Sequence, residues 1–146
     1  MVWDVHFQPI PETTPHGYRA FTFGFRAALV VTGFQFLINR WLKTFFTPKG
    51  SEILHRGDGT TLALLIGGNI GSQEDARDLA IRAVEETNEQ IRTQDAEGGF
   101  SAEESLDSAV ITRMEPYSGG GISIWVTITN LAGKQLEVLL MDYATR

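Results

Sequence analysis

Residues 122–141 read ISIWVTITNLAGKQLEVLLM. Ile122, Ile124, Val126 and Ile128 recur at every second position. After the turn-forming stretch Asn130–Gly133, Leu136, Val138 and Leu140 do the same. A period of two puts one face of an extended chain in apolar surroundings, so the pattern predicts strands over Ile122–Thr129 and Gln135–Met141 joined as a hairpin. Just upstream, Ala109–Met114 is another strand-like run, linked to the hairpin by Ser118-Gly119-Gly120-Gly121. Together the three runs predict an antiparallel meander.

Before the strands the period changes. Ala76, Leu79, Ala80, Ala83, Val84, Thr87 and Ile91 are spaced for one face of a helix running from Ser72 to about Gln94, with Gly98 and Gly99 as the break. Ser72 and Asp75 have capping-box spacing, and Glu74 and Asp75 suit the positive end of the helix dipole. The stripe is made of small residues, which permits close approach of another element. The opposite face is acidic and reads as solvated. An earlier helix carries Phe34, Leu37, Ile38, Trp41 and Phe45 as its stripe, with Asn39, Arg40 and Lys43 on the other face. Thr32 and Gln35 resemble a capping box at its start, and Pro48 ends it by disfavouring helical geometry at Thr47. Helices first and strands afterwards predict an α+β domain, with two long helices on a three-stranded C-terminal meander.

Residues 1–17 hold Pro9, Pro11 and Pro15 beside Trp3, Phe7 and Ile10. Proline removes backbone donors, so this segment reads as an extended arm, packing on its own domain or on a neighbour. Residues 18–146 form the single α+β domain, opening with a short extended segment over 18–26. The run Leu62–Ile66 is a buried strand or a helical turn, which periodicity does not separate.

The chain has 146 residues, no cysteine and a net charge of −6. Disulfides and thiolate chemistry are excluded. The acidic balance argues against nucleic acid as a partner. The apolar runs are too short for a bilayer span, and Met1–Asp4 opens without the basic, apolar pattern of a signal peptide, so no membrane partner is expected and synthesis in the cytoplasm is the default. The charge is uneven: residues 1–50 hold five basic and two acidic side chains, residues 51–146 seven and sixteen. Eleven of the fifteen aromatics lie in the first 46 residues. That polarity suits a subunit with different neighbours on different sides.

Catalytic patterns are weak. Gly67, Gly68 and Gly71 lack the spacing of a dinucleotide loop, and no Gly-Lys-Ser/Thr follows. His6, His16 and His55 are scattered without metal-ligand spacing, so no metal or cofactor is expected. Glu52 and Asp58 are the one pair of carboxylates that poses as a glycosidase acid pair.

The segment Thr47-Pro48-x-Gly50-x-Glu52, then Arg56-x-Asp58-Gly59-Thr60-x-Leu62, directly follows the first long helix. It resembles the gene-25-like baseplate wedge proteins of contractile-tailed phages, to which a type VI secretion baseplate subunit is related. The order of elements is similar from about Gly17 to Tyr143. Ser51 separates Gly50 from Glu52, where the family has them adjacent, and Gly57 replaces a proline. The family's Glu-Pro-Arg before the first strand is missing, its slot falling near Glu104-Ser105-Leu106; Glu115-Pro116-Tyr117 sits after the strand.

The resemblance implies a structural, non-enzymatic role in a virion, at the baseplate of a contractile tail assembled in the host cytoplasm. Its partners would be larger wedge subunits and the sheath subunit, with tail tube or hub proteins as further neighbours. The C-terminal strands would start the first sheath ring by strand addition, the edge strand Gln135–Met141 above all. Gly50, Glu52, Arg56, Asp58, Gly59 and Leu62 would form a structural loop, with Asp58 and Glu52 accepting the hydrogen bonds that pin it. Two other readings compete. One is a small cell-wall or nucleotide hydrolase using Glu52 and Asp58; the other is a regulatory module like the bacterial anti-adaptors, binding through the acidic helix.

Overall fold

The computed structural model describes residues 6–9, 21–24, 31–51, 57–64, 72–116 and 122–142. Strands β1 (His6–Pro9) and β2 (Phe21–Gly24) form a two-stranded antiparallel sheet. Helix α1 spans Gly33–Phe46, a 3₁₀ turn spans Thr61–Leu64, and helix α2 spans Gln73–Gly98. Strands β3 (Leu106–Pro116), β4 (Ile122–Asn130) and β5 (Gln135–Asp142) follow as an antiparallel meander in the order β3-β4-β5. The fold is α+β, with both helices ahead of the three-stranded sheet.

One core joins the helices to one face of that sheet. Leu37, Ile38, Trp41, Leu42 and Phe45 of α1 are buried with Ala80, Ala83, Val84 and Ile91 of α2, and with Ile124, Val126, Ile128 and Val138 of the sheet. Ile122 and Leu136 are partly buried against the same cluster, and Leu140 is buried within it. The small residues of α2 let the large α1 side chains come close, and Trp41 stacks on Phe45 with ring centroids 5.1 Å apart. The opposite sheet face is not uniformly polar. Trp125 is buried there, capped by the Arg113 guanidinium 3.7 Å above its ring.

The helix starts differ. Ser72 caps α2 as its spacing predicts: its hydroxyl accepts from the Asp75 N–H at 3.1 Å and donates to the Asp75 carboxylate at 2.8 Å. Thr32 makes no side-chain cap on α1. The Gly33 N–H instead donates to Glu104 Oε1 at 3.0 Å, from the turn before β3, and Gln35 donates to Asn39. A distant carboxylate has taken the place of the expected capping box. It also suits the helix dipole better than a hydroxyl does.

The face of α1 that carries Asn39 and Arg40 is largely covered, and one further expectation, on β3, is corrected. Asn39 is 5% exposed, and the Arg40 side chain is 13% exposed. Strand β3 runs two residues past Met114, so Glu115 and Pro116 lie inside it rather than after it. Helix α2 continues to Gly98, with Gly99 at φ 63° as its left-handed stop. The 3₁₀ turn settles Thr61–Leu64 as helical, and Leu62 is 2% exposed.

Candidate functional site

The loop after α1 folds back on the helix it leaves. Thr60 donates from its N–H to the Thr47 carbonyl at 2.8 Å and from its hydroxyl to the Phe45 carbonyl at 2.7 Å, while Lys49 N–H donates to the Thr60 carbonyl. Gly59 adopts φ +99°, and a Cβ there would sit 2.5 Å from the Thr47 oxygen. Only glycine fits at that crossing.

Among the described residues, Asp58 pins nothing with its side chain. Its carbonyl accepts from Gly50 N–H at 3.4 Å, but its carboxylate accepts no hydrogen bond from any described residue. The pins come from α2. The Gln90 amide accepts from Gly59 N–H at 2.8 Å and donates to the Gly59 carbonyl at 2.7 Å. Glu86 accepts from Thr61 N–H at 2.9 Å and pairs with Lys49 at 3.3 Å. A side-chain amide satisfies both backbone groups of Gly59 at once, which an anionic carboxylate cannot do. Glu52 and Arg56 lie outside the described residues.

One turn further along α2, Gln94 and Asp95 hold Arg40. Its guanidinium donates to Asp95 Oδ1 at 2.9 Å, to Gln94 Oε1 at 3.1 Å and to the Glu104 carbonyl at 3.3 Å. It also lies 4.0 Å from the centroid of the Phe100 ring. Gly33 N–H, assisted by the Ser101 hydroxyl and N–H, holds the Glu104 carboxyl below the ordinary glutamate range.

The sheet has two edges, and they are treated differently. Along the first half of β3, side chains of α2 take the outward-facing backbone groups. Asp95 Oδ2 accepts from Leu106 N–H at 2.8 Å, Arg92 donates to the Asp107 carbonyl at 3.0 Å, and Asn88 donates to the Ala109 carbonyl at 2.8 Å. Asn88 also accepts from the buried Trp41 indole N–H at 2.9 Å, so one amide ties α1, α2 and β3 together. Past Ala109 this edge has no backbone partner among the described residues. There α2 and β3 bound a groove of about 900 Å³.

Strand β5 carries no such guard. Among the described residues its only hydrogen-bonded strand neighbour in the sheet is β4, and Glu137 also accepts from the Thr112 hydroxyl of β3 at 2.8 Å across the sheet face. Asn130 N–H donates to the Lys134 carbonyl, and Thr129 stands opposite Gln135. Counting by the antiparallel alternation, Ile128–Leu136 and Val126–Val138 exchange hydrogen bonds, while Glu137 turns its N–H and carbonyl away from β4. The outward donor of this edge is therefore Glu137, not Val138.

Sequence reasoning missed the polar side chains that organise these features. Their signal is periodicity on α2. Glu86, Gln90 and Gln94 fall four residues apart and reach the loop and Arg40; Asn88, Arg92 and Asp95 form a parallel stripe and reach β3. The acidic face read as solvated is in part a backbone-binding face.

Among the described residues, no three His, Asp or Glu side chains are grouped to hold a metal ion, and no helix is long and apolar enough to cross a membrane. Comparison with protein-family models, with curated proteins and with solved structures finds no match to this chain.

Proposed function

We propose that this chain is a structural, non-enzymatic subunit in the baseplate of a contractile tail or injection machine. It packs with larger wedge subunits around the tube, and its sheet receives strands of the sheath subunit that start the first ring. The observation that carries the reading is the open β5 edge of a three-stranded sheet, in a chain whose loop from Thr47 to Leu62 resembles the gene-25-like wedge proteins. A sheet edge presents a row of donors and acceptors that a neighbouring chain completes. Beyond Gln135, the strand's charges are confined to Glu137 and Asp142.

The test is reconstitution with the sheath subunit. Glu137→Pro removes an outward-facing donor and spares the β4–β5 ladder, but it also gives up the bond from the Thr112 hydroxyl at 2.8 Å, as Glu137→Ala does. The proline variant is expected to fold and to fail to support sheath growth where the alanine variant supports it. Val138→Pro breaks an internal hydrogen bond and unfolds the hairpin, which makes it the control for a folding defect. Normal sheath growth on folded Glu137→Pro overturns the proposed role of this edge. Peptidoglycan cleavage by the purified chain, lost in Glu52→Gln or Asp58→Asn, overturns the non-enzymatic reading altogether.

A further inference from the structure

We draw no further inference here: the strongest candidate, the groove between α2 and the second half of β3, is lined by Glu74, Glu85, Arg77 and Arg113 around Ile81 and Met114, and nothing in the structure shows what covers it.

Discussion

Strands β3 and β5 flank the same central strand, and both expose a backbone edge. They meet that problem in opposite ways. Over Leu106–Ala109, three side chains of α2 stand in for a missing strand, each reaching a main-chain group at 2.8–3.0 Å. On the outer side of Gln135–Asp142 no described strand pairs with β5. The guarded stretch is the one nearest the Arg40 cluster and the end of α2. There helix, turn and strand share one polar network, so its backbone groups answer to the protein's own stability. The bare edge sits at the far side of the sheet, where the β4 ladder, the core-facing Val138 and Leu140, and the Thr112 hydroxyl on the Glu137 carboxylate hold the strand among the described residues. An edge left bare in a folded protein is either protected in some other way or used.

This difference is open to direct attack. Asp95→Ala has the largest expected effect. It strands the Arg40 guanidinium in a site only 13% exposed and leaves Leu106 N–H without its acceptor, at an expected cost of about 3–4 kcal/mol in urea unfolding. Asn88→Ala comes next, at about 2–3 kcal/mol, because the fully buried Trp41 indole N–H loses its partner along with the Ala109 carbonyl. If either variant unfolds at the wild-type midpoint, the guarded edge is not guarded by these side chains.

Acid sharpens the comparison further. The Glu104 carboxyl is held below its ordinary range by Gly33 N–H, so its contribution is fully present above the unfolded glutamate pKa, about 4.3. It is lost as pH falls through the lowered folded value. Wild type should therefore lose more stability than Glu104→Gln on acidification below about pH 4.3, with little difference between the two slopes at neutral pH. Equal acid slopes reject the assignment. Glu137→Pro on the bare edge is expected to cost only about 1 kcal/mol in folding, because its backbone donor faces outward and the loss is that of the bond from the Thr112 hydroxyl. A loss of 2 kcal/mol or more (an estimate set by the cost of a broken ladder bond) shows that this edge is already paired.

The α+β order and the meander were legible because they rest on period: two for β4 and β5, three to four for the helices. The core faces were legible for the same reason, and Ile124, Val126, Ile128 and Val138 all lie inside. What was not legible was which polar residue meets which backbone group. Asp58 drew attention because a loop aspartate so often caps its own turn. Here the loop is held by Gln90, 31 positions away from Gly59. A glutamine in mid-helix carries no local signature, since its propensity is ordinary and its partner is set by tertiary approach. The same holds for Glu104, 71 positions from the helix start it caps. The contrast is measurable: Gln90→Ala should cost about 1–2 kcal/mol, as two paired backbone groups of the half-buried loop lose their partner. Asp58→Ala should fall within about 0.5 kcal/mol, and an inverted order in thermal unfolding would return the loop to its own carboxylate.

The register breaks of the sheet bear on how copies of this chain behave at high concentration. An extra residue enters β3 between Ile111 and Arg113, and another enters β5 between Leu139 and Met141, both level with Trp125. Each bulge coils the strand locally and interrupts the even spacing of donors along its edge. Identical chains stacking edge on edge into a fibril need flat, evenly spaced strands. Neither edge of this sheet supplies them. On the proposed role, the same kinks would select a partner whose strand is already curved to match, while disfavouring polymerisation of the chain with itself.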